Sequence, residues 1–255
     1  ARDYDPEDGF YLAFSGGKDS QALYHIAKMA GVKFKAHMNL TSVDPPDVIR
    51  FVKRNYSDVE LIKPKMSIYD MALKTHLLPT RRLRWCCAKY KEMSGAGKVT
   101  LIGIRKAESV RRSKREEIEI SNHKFSGNFD QFSEHKEQMV TCVGGKDKIL
   151  VSPIIHWTDR DVWDFLNGNK IEHCSLYDEG YKRIGCILCP MSNYKDKRKD
   201  CQRFPHVKRK WIQTIQKLID AGYINHNFTD AEFGFNWWIS DKGFDQYYAD
   251  EVLQQ

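Results

Sequence analysis

The sequence predicts an α/β fold: a doubly wound, mostly parallel sheet with a C-terminal helical extension. Three observations carry this. Short β-rich runs alternate with helical ones from residue 10 to residue 166. A glycine-rich turn, Ser15-Gly16-Gly17-Lys18-Asp19-Ser20, joins the first strand to the first helix. Near the C-terminus, residues 204–221 read as one further helix.

Taken in order, residues 10–14 form an apolar strand and residues 20–30 a helix. Residues 34–40 are a strand. Residues 45–55 are a helix with proline near its start, where a fixed φ suits the first turn. A strand at 59–62, a helix at 67–74 and a fourth strand at 99–104 follow. Residues 149–151 make a fifth strand, and residues 159–166 a helix capped by Thr158. Strands separated by helices pair in parallel, with the ligand site at their carboxyl ends, where residues 15–20 lie. Residues 116–145 are polar, contain Gly127, Gly144 and Gly145, and read as a long excursion, a lid or a substrate-binding loop. Domain boundaries are expected at 1–195 for the nucleotide-binding α/β domain, which includes the cysteines discussed below, and 196–255 for a basic, aromatic extension.

Hydrophobic content of 41% with 12% aromatic residues suits a globular chain. No apolar run reaches the roughly 18 residues of a membrane span, and no signal peptide opens the chain. A cytoplasmic protein with no membrane partner is therefore expected. Seven cysteines in that setting favour metal or redox chemistry over disulfides. The formal charge of +7 favours anionic partners, and it clusters. The clusters are Arg81-Arg82-Leu83-Arg84, residues 105–115 with six basic residues in eleven, and residues 195–210.

The glycine-rich turn is a phosphate cradle. Gly16 and Gly17 let backbone N–H groups approach an anion closely, and the helix N-terminus adds its positive dipole end. Ser15, Ser20 and Lys18 supply hydroxyls and a cation. A Walker loop would need glycine in place of Leu12 and Ser or Thr in place of Asp19. The run resembles instead the PP-loop of the ATP pyrophosphatases, which split ATP between the α and β phosphates. ATP is thus the expected ligand. Asp19 either holds Mg²⁺ with the triphosphate or caps the loop.

Cys86 and Cys87 are adjacent, and Cys186 and Cys189 form a C-x-x-C closed by Pro190. Four thiolates suit a soft-metal site, and adjacent cysteines fit an iron–sulfur cluster better than zinc; buried or redox thiols are the remaining alternative. Arg84-Trp85-Cys86-Cys87-Ala88-Lys89-Tyr90-Lys91, Pro153-Ile-Ile-His-Trp157-Thr158-Asp159-Arg160-Asp161-Val162-Trp163 and Leu176-Tyr177-Asp178-Glu179-Gly180-Tyr181-Lys182-Arg183-Ile184-Gly185-Cys186 are similar, in order, to segments of the phosphoadenosine-phosphosulfate (PAPS) reductase family. The resemblance covers residues 10–195 and implies an adenine nucleotide alpha hydrolase-like fold. It also implies a 4Fe–4S cluster on Cys86, Cys87, Cys186 and Cys189.

Two departures shift the expected function. Sulfonucleotide reductases carry a degenerate loop where this chain reads Ser-Gly-Gly-Lys-Asp-Ser, and they use a nucleophilic cysteine in a Glu-Cys-Gly-x-His motif. No cysteine follows Cys201 in these 255 residues. The combination resembles the ATP pyrophosphatases of sulfur insertion, the Dnd- and Ssp-type enzymes of DNA phosphorothioation and certain tRNA thiolases. That resemblance implies adenylylation of a nucleic acid, DNA favoured over tRNA, with a cysteine desulfurase as sulfur donor. A divergent sulfonucleotide reductase and an ATP- and cluster-dependent nucleic-acid-binding regulator are the alternatives.

Gly103, Arg105, Glu108, Arg111 and Arg112 follow the fourth strand and resemble the family's Gly-x-Arg…Glu-Ser…Arg segment. The arginines would grip phosphates, and Glu108 would orient them or a metal. Lys18, Asp19, Arg105 and Arg111 are the expected catalytic set. Asn39, with Thr41, Ser42 and Asp44, ends the second strand and either contacts base or ribose or caps a turn. Lys89 and Lys91 steady cluster charge or are solvated. Cys142, Cys174 and Cys201 are persulfide candidates or small buried hydrophobes. Lys195, Lys197, Arg198, Lys208 and Arg209 are candidate nucleic-acid contacts, with Trp211, Trp237 or Trp238 stacking on bases or packing into the core.

Overall fold

The computed structural model describes residues 6, 8–92, 94–121, 125–128, 131, 147–224, 228 and 230–252. Its sheet has seven strands: β1 (Phe10–Ala13), β2 (Phe34–Asn39), β3 (Glu60–Ile62), β4 (Val99–Leu101), β5 (Ile118–Ile120), β6 (Phe125–Gly127) and β7 (Ile149–Val151). Their order is β3-β2-β1-β4-β7-β5-β6. The first five strands in that order form four parallel pairs, as the alternation predicts. β5 and β6 add an antiparallel edge. Phe10, Tyr11 and Leu12 of β1 are all buried, as a central parallel strand requires.

The polar excursion thus begins with two strands. Glu119 alternates with buried Ile118 and Ile120, a pattern three residues long that charged neighbours mask in the sequence. Residues 132–146, with Cys142, Gly144 and Gly145, lie outside the described residues, so the lid reading does too.

Contact density divides the chain into two compact units. The first comprises Ala1–Asn39, Pro46–Ile62 and Lys91–Ile184. It holds the sheet, α1 (Lys18–Met29), α2 (Pro46–Asn55) and, past α3 (Ile68–Thr75) of the other unit, α4 (Asp159–Gly168). Ala22 of α1 packs on Val162 and Leu166 of α4, all fully buried. Thr158 caps α4, its hydroxyl accepting from the Asp161 N–H while Asp161 accepts from the Thr158 N–H.

The second unit gathers Leu40–Pro45, Lys63–Tyr90 and Gly185–Gln255. It contains α3 (Ile68–Thr75), α5 (Tyr194–Arg203), α6 (Pro205–Asp220), α7 (Ala231–Ile239) and α8 (Phe244–Val252). Its core forms around α6, whose Val207, Trp211, Ile215 and Leu218 are buried at helical spacing. Trp211 meets Tyr69 of α3 at 5.0 Å and Trp238 of α7 at 4.7 Å between ring centroids. The Trp238 indole N–H donates to the Pro79 carbonyl at 2.8 Å. Residues 185–195 pack with this unit rather than with the sheet. Among the described residues, no helix is long and apolar enough to cross a membrane.

Candidate functional site

β1 runs to β2 on one side of the sheet while β4 pairs on its other side, so the loops after β1 and β4 meet at a topological switch point. Gly16 turns the chain there with φ +73°, and a Cβ would strike Val48 and Val52 of α2. Gly17 is the N-cap of α1 and has no side-chain cap. Ser20 closes the loop: its hydroxyl donates to the Gly17 carbonyl at 2.8 Å and accepts from the Ser15 N–H at 3.2 Å. Gly103, after β4, fits against the start of α1, where a Cβ would lie 3.0 Å from the Asp19 carbonyl oxygen.

Four charges interlock behind the loop. Lys18 Nζ lies 2.9 Å from Asp159 Oδ1 and 3.7 Å from Asp19 Oδ2. Arg105 bridges the same two carboxylates, Nε to Asp19 Oδ1 at 2.7 Å and Nη2 to Asp159 Oδ1 at 3.0 Å. Both cations are 2% exposed, whereas Asp159 is 66% exposed at the side chain. Buried cations need partners, and these two take theirs from carboxylates at or near the rim. Burial raises the Asp159 carboxyl, but Lys18 and Arg105 outweigh it and hold it below the usual carboxylate range. Asp19 is turned to Arg105 in this arrangement.

A cavity of ≈ 170 Å³ opens over the loop, lined by Ser15, Gly17, Asp19, Ser20, Gly103, Glu108, Arg112, Tyr177 and Arg183 among others. The Tyr177 hydroxyl accepts from the Lys18 N–H at 2.8 Å, and burial pushes its phenol well above the ordinary value. Glu108 is nearly buried, accepts from the Arg105 N–H at 3.1 Å, and pairs with Arg112 and, at 3.1 Å, with Arg183. The cavity therefore presents two guanidinium groups, hydroxyls and a helix N-terminus, a set suited to phosphate or sulfate oxygens. A larger hollow of ≈ 500 Å³ beside His25, Tyr56 and Glu172 touches none of these residues.

The four motif cysteines all fall in the second unit. Cys86 and Cys87 sit in a short helix, Trp85–Cys87, which runs on as a π-helical turn, Ala88–Glu92. A hydrogen bond with Cys87, burial, and the nearby Cys87, Cys186 and Cys189 thiols all raise the Cys86 thiol. Thr41 Oγ1 lies 3.4 Å from Cys186 Sγ. None of the six described cysteines is in a disulfide. Among the described residues no three His, Cys, Asp or Glu side chains converge as a finished ligand set. The donor chemistry still fits a thiolate-bound metal, because Cys87, Cys186 and Cys189, in the same unit, all act on the Cys86 thiol, and thiols are the donors a soft ion needs.

Over residues 9–192 the sequence matches the phosphoadenosine phosphosulfate reductase domain family. The chain belongs to this family. The phosphoadenosine 5'-phosphosulfate reductase of Xylella fastidiosa is 29% identical over 208 residues, covering 78% of this chain and 79% of its own. The adenosine 5'-phosphosulfate reductase of Oceanobacillus iheyensis is 28% identical over 151 residues, 56% of this chain and 54% of its own. An uncharacterized protein of Methanocaldococcus jannaschii is 26% identical over 222 residues, 82% of this chain but 42% of its own. The chain thus spans about half the length of the first curated relatives it matches.

In this phosphosulfate reductase family member, Ser15, Gly17, Asp19, Ser20, Gly103 and Glu108, expected from the sequence to bind ATP, line the cavity, with Gly16, Lys18 and Arg105 directly behind. Arg111 is exposed and does not line it; Arg112, one residue on, does. Asn39 accepts from Ser94 Oγ at 2.7 Å and donates to Tyr11 at 3.3 Å, so its amide is engaged at the strand end. Asp159, Tyr177 and Arg183 were not singled out, although each lies in a family-like segment. Their signal was the segment, and no feature of the residues themselves marked them.

The C-terminal basic residues divide. Lys197 is 3% exposed and bonded to Asp241 at 3.1 Å, so it is a buried structural cation and not a nucleic-acid contact. Lys208 pairs with Glu232 at 3.0 Å, while Lys195, Arg198 and Arg209 are exposed. Trp211 and Trp238 are buried in the core and cannot stack on bases. Burial raises the Cys174 and Cys201 thiols, the opposite of activation for persulfide chemistry.

Proposed function

We propose that the protein is an ATP pyrophosphatase that adenylylates an acceptor for sulfur transfer, the acceptor being a nucleic-acid phosphate, DNA ahead of tRNA. The observation that supports this best is the pairing of Lys18 and Arg105 with Asp19 and Asp159 beneath a polar cavity built on an intact Ser-Gly-Gly-Lys-Asp-Ser loop. A triphosphate entering the cavity brings the negative charge that lets Lys18 leave Asp159 for the phosphates. The N-terminus of α1 and the guanidinium groups of Arg112 and Arg183 neutralise the rest, with Mg²⁺ on the triphosphate.

In the first step an acceptor oxygen attacks the α-phosphorus, the α–β bridging bond breaks, and pyrophosphate leaves with that electron pair. In the second, a sulfur nucleophile at the sulfide level attacks the acceptor phosphorus, and AMP leaves. No net redox change occurs. A cysteine desulfurase would be the source of that sulfur. Cys86, Cys87, Cys186 and Cys189 would hold a 4Fe–4S group, which supplies soft, redox-active iron when bound. Exposed Lys195, Arg198 and Arg209 would meet the acceptor backbone.

The test is pyrophosphate release by anaerobically purified protein with ATP and Mg²⁺, with DNA, with tRNA and with neither. Release stimulated by one nucleic acid supports adenylylation and names the acceptor. No release under any condition, in protein that binds ATP, overturns it. Membership of the phosphosulfate reductase family favours a second reading, reduction of a sulfonucleotide. It predicts sulfite from adenylylsulfate or its 3'-phosphate with thioredoxin, without ATP turnover.

A further inference from the structure

The C-x-x-C loop is held partly by residues beyond residue 192, where the family match ends: Asp200 directly, and Lys197 and Asp241 through Arg81. Leu188, between the two cysteines, is a buried non-glycine residue at φ +56°. Side chains resist that conformation, so something must hold it. Its N–H donates to Asp200 Oδ2 of α5 at 2.8 Å, inside the protein. The loop's far side is held at the surface. Arg81 donates to the Pro190 carbonyl at 3.1 Å, to the Ser192 carbonyl at 3.0 Å and to Asp241 at 2.9 Å. Asp241 in turn accepts from buried Lys197 at 3.1 Å and from the Tyr194 N–H at 3.0 Å. At the near side, the Ile187 N–H donates to the Val43 carbonyl at 2.8 Å.

From this geometry we infer that Asp200 and the Arg81–Asp241–Lys197 group are positioning residues that preset Cys186 and Cys189 for their ligand. The C-terminal helices thereby form part of the cysteine site. The buried ammonium of Lys197 gives one member of the basic run a structural duty: it pairs with Asp241 at the surface end of the group. An apolar residue at 197 could pack the same helix but would take from Asp241 one of its three donors, leaving Arg81 and the Tyr194 N–H. The inference rests on the cysteine reading above for the identity of the ligand alone; the presetting belongs to the loop.

The experiment compares wild type with Asp200→Ala, Asp200→Asn, Arg81→Ala and, as a core control in the same unit, Ile215→Val. In metal-free protein, iodoacetamide labelling of each cysteine is followed by mass spectrometry, with Cys174 as internal reference. Iron per chain is measured after anaerobic reconstitution, and melting temperature in parallel. The expected result is labelling of Cys186 and Cys189 at least about fivefold faster in Asp200→Ala and Arg81→Ala. Iron retention in those variants should fall. Asp200→Asn keeps an acceptor for the Leu188 N–H and should recover slow labelling. Ile215→Val should lower the melting temperature without changing the labelling rates of Cys186 and Cys189. Labelling at the wild-type rate in both Asp200→Ala and Arg81→Ala, or acceleration that tracks melting temperature across all variants, overturns the inference. Failure of wild type to retain iron would sink the cluster reading, while the labelling arm still decides the presetting.

Discussion

Gly16 and Gly17 are adjacent and chemically identical, yet the structure assigns them different duties, and alanine at each separates them. At Gly16, φ is +73°, and a Cβ would sit 2.7 Å from Val48 Cγ1 and 2.9 Å from Val52 Cγ2. The left-handed backbone costs an alanine about 1–2 kcal/mol. Both valines are buried and β-branched, with little rotamer freedom to retreat, so overpacking adds about 1–3 kcal/mol. The sum of about 2–5 kcal/mol corresponds to a melting temperature lower by roughly 10 °C in a chain of this size. Gly17 has φ −82°, open to any residue, and its Cβ would meet nothing nearer than the Tyr177 hydroxyl at 3.4 Å. Gly17→Ala should therefore fold within about 1 kcal/mol of wild type, the lost glycine entropy helping slightly. That Cβ enters the cavity, however, and should weaken ATP binding by about tenfold, or 1.4 kcal/mol. Differential scanning calorimetry and nucleotide titration read the two effects. Gly16→Ala melting within 2 °C of wild type, or Gly17→Ala binding ATP as wild type does, would refute the reasoning.

Asp159→Asn removes the carboxylate that Lys18 and Arg105 share. The native carboxyl lies below its unfolded value, so its stabilising contribution is present above the unfolded value and lost as pH falls through the native one. The variant should show a shallower stability loss below about pH 4 than wild type, by no more than about 1 kcal/mol because the side chain is largely solvated; superimposable urea titrations across that window would contradict it. Arg112→Ala should weaken binding of ATP or a sulfonucleotide by about tenfold, and Arg111→Ala should leave it within twofold, read by isothermal titration. Equal losses would mean that cavity lining does not decide affinity here. Trp211→Ala empties the core around α6 and should cost about 3–5 kcal/mol, seen as an earlier denaturant midpoint. A midpoint unchanged from wild type would place Trp211 outside the core.

The first three strands of the parallel part were legible because each adjoins helices of clear period, and β7 because it begins and ends where the run of apolar residues does. Strand β4 is shorter than expected, ending at Leu101, because Gly103 must leave the ladder to fit against Asp19. β5 was hidden since Glu119 and its charged neighbours outweigh two isoleucines in any window. Helix α5 was hidden for a related reason: seven of its ten residues are charged and the others are Tyr194, Cys201 and Gln202, so no apolar stripe announces it, and Lys197 and Asp200 are its buried residues. At the site, the loop announced itself through residue types that only phosphate chemistry needs together. Asp159 and Arg183 are ordinary surface types in sequence, and only the fold shows which cation or carboxylate each one meets.

The second unit is spliced from three separate stretches, and that sets a timetable for making it. Tyr69 waits for Trp211, and Pro79 waits for Trp238. A ribosome therefore releases Cys86 and Cys87 into solvent long before the helices that complete their surroundings exist. Until residue 238 has emerged, α3 carries an apolar face without its partners, a state in which chains stick to one another. Expression with C-terminal truncation should yield aggregates carrying oxidised Cys86 and Cys87, whereas slower synthesis of the full chain, with chaperones present, should raise the soluble yield.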